Sequence, residues 1–193
     1  PDAISERHGV AVAMSASGDT VAVSAYGKDG VSPGYVDTFD LVNQVTWMRR
    51  PEVSRQSYDP SLPFYNTGFG GSVALSSDGL VLAVGEHKTS PFSEQGWTPT
   101  DRGGRVYVFS YDPTSALWNS MALLQSEEGV GNLGNCGQCF GHDVELSGDG
   151  TRLLVGAPRE GDSTTIGGTH TGDPVDMQRH AGTVHVFELG VLT

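Results

Sequence analysis

Apolar residues recur along this chain in three stretches that share one pattern of apolar, small and polar positions. The stretches align without gaps and have the sequences HGVAVAMSASGDTVAVSAY (8–26), FGGSVALSSDGLVLAVGEH (69–87) and FGHDVELSGDGTRLLVGAP (140–158). In the second stretch Val73 and Leu75 alternate with small residues, as in a half-buried strand, and a Ser-Asp-Gly turn follows. This self-similarity predicts a repeat architecture built on β-hairpins.

A second shared block follows each stretch and predicts a third strand. The blocks have the sequences GYVDTFDL (34–41), GRVYVFSY (104–111) and GTVHVFEL (182–189). In the middle block Val106 and Val108 are predicted to point to one face, and the aromatic residues between and after them to the other. Each repeat is therefore predicted to be a β-meander.

The second strand of each repeat is apolar on both faces, as in VLAV (81–84) and RLLV (152–155). Such a strand needs cover on both sides, which a radial stack of β-propeller blades provides. Segments centred on Trp47 and Trp118 would form an outermost, half-exposed fourth strand. We therefore expect an all-β chain with three four-stranded blades in an incomplete or partner-completed ring. The single predicted domain, 1–193, contains blade one (8–50), blade two (69–124) and blade three (140–193, lacking its outer strand).

The repeat resembles the FG-GAP repeats of integrin α-like propellers. The Phe-Gly pair stands at 69–70 and 140–141, His8-Gly9 replaces it in the first repeat, and 156–158 has the sequence Gly-Ala-Pro. The resemblance implies a β-propeller typical of secreted or cell-surface proteins. Three blades are fewer than the four to eight that close a ring, so we expect more blades or a partner protein to cover the open edges.

The first hairpin of each repeat departs from the calcium-binding members of that family, which carry several carboxylates there. This chain has Asp78 and Asp149 in those turns, and Asp19 lies one place further along its own turn. Because Ca²⁺ takes six to eight oxygens, one carboxylate per turn indicates a turn residue. No calcium site and no cofactor are predicted.

The charge of the chain narrows its possible partners. A net charge of −12 excludes nucleic acid, since nothing here could replace counterions along a phosphate backbone. No run of about 20 apolar residues is present, so no membrane span is predicted in this chain.

Glycine makes up 27 of the 193 residues, which is typical of short strands joined by tight turns.

Cys136 and Cys139 are the two cysteines, spaced as Cys-Gly-Gln-Cys. Redox catalysis would place the pair at a helix N-terminus, yet a strand-like sequence follows, and a zinc site needs four ligands. A short-loop disulfide is the first hypothesis and a pair of reduced structural thiols the second. A disulfide would favour a secreted, cell-surface or organelle-lumen location.

The long connections are predicted to gather on one side of the sheets, which we name the long-loop rim. Segments 88–103 and 159–181 join second to third strands, whereas 50–68 and 125–139 join successive repeats. Aromatic and arginine side chains dominate binding hot spots, so those of this rim are the predicted partner-binding residues. They are Arg49, Arg50, Arg55, Tyr58, Phe64, Tyr65, Phe92 and Trp97.

The favoured function is a non-catalytic protein-interaction or scaffold module, part of a larger secreted, cell-surface or lumenal assembly. No catalytic residue is assigned, and no enzyme activity is expected. The alternative is a metal-dependent or hydrolytic propeller enzyme that uses the 159–181 loop. That loop holds four weak metal-ligand candidates, His170, Asp173, Asp176 and His180.

Overall fold

The computed structural model describes residues 7–26, 34–55, 68–87, 104–125, 139–158 and 182–190. Their strands form three antiparallel sheets. Sheet one contains β1 (Arg7–Met14), β2 (Thr20–Tyr26), β3 (Tyr35–Val42), β4 (Thr46–Arg49) and β5 (Val53–Ser54). Sheet two contains β6 (Phe69–Leu75), β7 (Val81–Glu86), β8 (Arg105–Asp112) and β9 (Leu117–Leu124). Sheet three contains β10 (Asp143–Leu146), β11 (Arg152–Ala157) and β12 (Thr183–Glu188).

The all-β prediction is confirmed, and each sheet is a meander in which consecutive strands pair. The outer edge of sheet one is divided: β3 pairs with β4 through Phe39–Val42 and with β5 through Tyr35 and Val36. Pro51 lies between these two short strands and has no N–H to donate, which interrupts the ladder. In the described parts of the chain no helix is long and apolar enough to cross a membrane.

Sheet two lies between the other two sheets and is buried on both faces, as the sequence predicts. Val81 and Ala83 of β7 belong to an apolar cluster shared with sheet three. Leu82 and Val84 belong to a second cluster shared with sheet one. Strand β8 divides in the same way, with its valines on the sheet-three side and its aromatic residues on the sheet-one side. The alternation of strand side chains therefore builds two separate cores from one sheet.

The first hairpin of each sheet closes by the same hydrogen bonds. Ser15, Ser76 and Ser147 stand at its start, and each pairs through N–H and hydroxyl oxygen with the residue five places later. The hairpins are also joined to one another. The N–H of Ala16 donates to the carbonyl oxygen of Ser77 at 3.0 Å, and the N–H of Ser77 donates to that of Gly148 at 2.8 Å. A ladder thus links equivalent positions of successive repeats.

The hairpin carboxylates act within their own turns. Asp149 accepts hydrogen bonds from the Ser147 hydroxyl at 2.6 Å and from the Thr151 N–H at 3.0 Å. These bonds lower the pKa of Asp149 from 3.8 to about 2. Asp78 occupies the same place in sheet two, and in sheet one Ser17 supplies the oxygen instead.

Successive sheets approach through positions where only glycine fits. A Cβ on Gly34 would overlap the carbonyl oxygen of Phe69, and a Cβ on Gly104 would overlap that of Phe140. The backbone of each Phe-Gly pair therefore packs against the glycine that immediately precedes the third strand of the preceding sheet. The Phe side chains themselves are fully buried. Backbone contact and core packing are thereby made by one dipeptide.

We expect Gly104→Ala to destabilise the protein strongly, because it combines positive φ with overlap against Phe140. Gly190→Ala is the matched control, since its φ is +75° against +80° but no described atom lies within 4 Å of its Cβ. The control should cost about 1–2 kcal/mol for the left-handed backbone alone. Gly104→Ala should cost more than about 3 kcal/mol by denaturant unfolding. Equal costs would show that the contact between sheets contributes nothing.

Candidate active site

Three charged or polar side chains are buried where sheets one and two meet at the long-loop rim. Arg55 Nε lies 3.1 Å from Glu86 Oε1 as an ion pair and donates a hydrogen bond to Tyr107 Oη at 3.2 Å. Glu86 and Tyr107 have no solvent exposure. Burial, reinforced by the negative charge of Glu86, raises the pKa of Tyr107 from 10.0 to about 12. The hydroxyl therefore stays protonated and can donate or accept.

A pair of imidazoles lies at the same strand end, where sheets two and three meet. His87 follows Glu86 at the end of β7, and His142 precedes β10 in sheet three. Their ring centroids are 5.3 Å apart and the ring planes are tilted by 60°. His87 is half-buried with its Nδ1 inside the protein, whereas His142 is exposed. The pair therefore combines one fixed ring with one that faces solvent.

Backbone geometry holds both imidazoles in place. Gly71 of β6 leaves the space that the His87 ring occupies, since a Cβ there would overlap the ring. The N–H of His142 is shared between the carbonyl oxygens of Cys139, at 3.0 Å, and Gly156, at 3.2 Å. The Ser72 hydroxyl donates to the carbonyl oxygen of Gly141 at 2.9 Å and ties sheet three to sheet two at this point. The distance between the rings is thus set by the packing of two sheets.

The arrangement of the two rings suits proton transfer. Neighbouring imidazoles can act as acid and base, since a neutral ring accepts a proton and a protonated ring donates one. The adjacent Asp143 carboxylate accepts a hydrogen bond from the Val144 N–H at 3.1 Å. Among the residues that the structure describes, no group of three or more His, Cys, Asp and Glu side chains could hold a metal ion.

Two of the three arginines predicted to bind a partner are buried instead. Arg55 pairs with Glu86 as described, and Arg50 lies between sheets one and two with only 8 % of its surface exposed. Only Arg49 is open to solvent, and it pairs with Asp37 and Glu52. The prediction that Arg50 and Arg55 offer charge to a partner is therefore corrected. Their guanidinium groups are used within the fold.

The contacts of Arg50 explain why the sequence alone assigned it to the wrong surface. Its guanidinium binds both carboxylate oxygens of Asp40 at 2.7 Å and donates to the carbonyl oxygen of Gly79 at 2.7 Å. It also stacks 3.9 Å from the ring centroid of Tyr111. Planar bidentate and stacking contacts of this kind are typical of buried arginine. They join sheet one to sheet two near the hairpins, away from the long-loop rim.

The remaining predicted residues lie outside the described part of the chain. They are Tyr58, Phe64, Tyr65, Phe92, Trp97, Cys136, His170, Asp173, Asp176 and His180. Cys139, the other predicted cysteine, is buried, has a φ of +56° and is disulfide-bonded.

Glu86 and His87 were missed as site residues because they sit inside the repeat. The equivalent positions are Ala25-Tyr26 in the first repeat and Ala157-Pro158 in the third. The sequence did contain one indication of a site, because Glu86 and His87 stand at a strand end that is uncharged in the other two repeats. The role of these two residues depends on Arg55 and His142, which come from neighbouring repeats.

Comparisons with known protein families and with curated protein sequences give no match. Solved structures similar to this chain include the periplasmic gluconolactonase PpgL of Pseudomonas aeruginosa, with a TM-score of 0.47 and 15% identity. That match covers 77% of this chain and 36% of the gluconolactonase. A putative TolB from Agrobacterium tumefaciens matches with a TM-score of 0.28 and 12% identity over 80% of this chain and 55% of that protein. This chain thus spans less than two thirds of either.

The prediction of a non-catalytic interaction or scaffold module is corrected by this comparison, because a structural neighbour is an enzyme. Similarity at these TM-scores does not carry the neighbour's substrate or fold over to this chain.

We expect Tyr107→Phe to reduce the loss of stability at alkaline pH. Between the unfolded pKa of 10.0 and the folded pKa of about 12, the unfolded tyrosine is ionised while the folded one keeps its proton. Stability is therefore complete below the lower value and falls as pH rises towards the upper one. Melting temperatures measured from about pH 9 to about pH 11 should fall less in the variant than in the wild type. Parallel curves would mean that Tyr107 ionises normally when folded.

Proposed function

We propose that this chain contributes the hydrolytic site of an extracytoplasmic β-propeller enzyme of the FG-GAP type. The observation that carries the proposal is the His87–His142 pair, held across two sheets at the long-loop rim. Segment 88–103 starts directly after His87, and segment 159–181 starts two residues after Ala157, beside the backbone of His142. Long connections beside a rigid scaffold are where binding residues most often lie. The proposed substrate would be bound at this rim.

The propeller assignment is supported by the way each sheet meets the next. The contact of Phe69 with Gly34 is repeated by Phe140 and Gly104, and the hairpin ladder advances by one repeat at each step. Identical contacts between successive units are the mark of a repeat array. A radial stack of such units is a propeller.

The proposed reaction is hydrolysis of an ester or lactone. One neutral imidazole takes a proton from water while the water oxygen bonds to the acyl carbon, and the other imidazole gives a proton to the leaving oxygen as its bond to carbon breaks. The products are a carboxylic acid and an alcohol, which remain in one molecule for a lactone. Half-buried His87 is suited to the base and exposed His142 to the acid. The buried Tyr107 and Arg55 position the strand end that carries His87.

The extracytoplasmic location is supported by the disulfide at Cys139. Disulfides persist in oxidising compartments such as the periplasm, the secretory lumen and the cell exterior, and are rare in the cytosol.

The test is hydrolysis of a panel of aryl esters and sugar lactones by the full 193-residue chain, followed by pH-stat titration. His87→Gln and His142→Gln should each lower kcat by about 100-fold or more while leaving the melting temperature unchanged. His8→Gln is the matched control. His8 is also a rim imidazole, but it pairs with Tyr35 at 2.9 Å within sheet one, so its loss should leave kcat unchanged.

Chelation distinguishes the two forms of the enzyme hypothesis. Full activity after prolonged treatment with EDTA is expected for acid–base hydrolysis by the imidazole pair. Activity that disappears with the chelator and returns with a divalent ion would favour a metal-dependent reaction. Activity equal to wild type in both histidine variants would exclude the imidazole pair as the site.

A further inference from the structure

The two outer faces of the sheet stack expose apolar side chains in rows. On sheet one, Val12 and Met14 of β1 are 68% and 66% exposed. On sheet three, Val184 and Val186 of β12 are 68% and 65% exposed. Contiguous apolar surface of this kind marks an interaction site.

Equivalent positions inside the stack show what these rows are built to contact. Val73 stands in β6 where Val12 stands in β1, and it is 9% exposed because it packs against sheet one. Val106 and Val108 stand in β8 where Val184 and Val186 stand in β12. Both are completely buried against sheet three. The outer faces therefore carry the two halves of one interface that already occurs twice within the chain.

Backbone conformation at the two faces is also that of the interface. Gly70 and Gly141 have φ of +83° and +80° and contact the preceding sheet. Gly9 has the same conformation, φ +81°, yet no described atom lies within 4 Å of its Cβ position. On the other face Gly182 immediately precedes β12, as Gly104 immediately precedes β8. Gly104 is the glycine against which the Phe140 carbonyl oxygen packs. Sheet one therefore exposes the side of the contact that contains Gly9. Sheet three exposes the opposite side, which contains Gly182.

The hairpin ladder has a fixed direction that continues across the same two faces. Each sheet donates an N–H to the carbonyl oxygen of the next, from Ala16 to Ser77 and from Ser77 to Gly148. The next donor in the series is the N–H of Gly148, and the next acceptor is the carbonyl oxygen of Ala16. A sheet-one hairpin placed after sheet three would extend the ladder without a change of register.

We infer that the occupant of these faces is a second copy of this chain, bound head to tail, with sheet three of each copy against sheet one of the other. Both complementary halves are present on one chain, so an identical copy satisfies both faces at once. Two copies supply six sheets, within the four to eight that close a propeller. A heterologous contact closes into a ring when its rotation allows, and the ring then leaves no open edge. The inference rests on the proposed propeller arrangement and not on hydrolysis.

The test is the mass of the full chain by native mass spectrometry and by light scattering in about 0.15 M salt. We expect a dimer of twice 20.3 kDa. Association should strengthen as salt is raised, because each copy carries a net charge of −12 and salt screens the repulsion. A monomer at all salt concentrations and at about 0.1 mM protein would overturn the inference, since the faces would then be covered by something other than a second copy.

Two single-face variants test the head-to-tail arrangement. Val12→Asp and Val186→Asp should each be monomeric, because each ring contains two equivalent interfaces and both are damaged. Mixed in equal amounts they should form an open heterodimer, in which an intact sheet three meets an intact sheet one. Val45→Asp, on an exposed turn, is the matched control and should remain a dimer. Dimers in either single variant, or monomers in the mixture, would contradict the inference. Circular dichroism spectra equal to that of the wild type show that each variant folds.

Discussion

The close seating of a Phe-Gly backbone on a glycine of the preceding sheet is the contact on which the rest of this structure depends. It sets the distance between sheets at a value that no side chain at Gly34 or Gly104 could tolerate. At that distance the valines, alanines and aromatic residues of neighbouring sheets form two continuous cores. Burial of each large apolar side chain contributes about 1.5–3 kcal/mol, so the cores supply most of the stability once the backbones are in contact.

Two arginines of sheet one contact sheet two across this interface. Arg50 makes its contact near the hairpins, and Arg55 makes its contact near the long-loop rim. A buried ion pair is weak evidence for stability, because desolvation offsets much of the attraction. Its clearer effect is positional. The Arg55–Glu86 pair and its bond to Tyr107 anchor the strand end that places His87 opposite His142.

The candidate site could be predicted only in part. The long-loop rim was predicted from the strand order, since alternate connections of a meander emerge on one side. The importance of Glu86 and His87 did not follow, because a repeat alignment treats them as a degenerate strand end. Arg55 and His142 lie far from them in sequence, and only the stacking of three sheets brings the four together. Arg50 was predicted to lie on the long-loop rim as a partner-binding residue, but its guanidinium is buried against Gly79 and Tyr111 of the next repeat.

The sequence by itself determined the all-β class, the meander within each repeat and the face to which each strand residue points. These features are local: alternation with period two and turn residues at fixed positions specify them without reference to other repeats. The tertiary structure decided which charged residues are buried, which imidazoles are neighbours and which apolar rows remain exposed. Those properties depend on contacts between repeats, where a residue's environment is set by the adjacent sheet and not by its own neighbours in the chain.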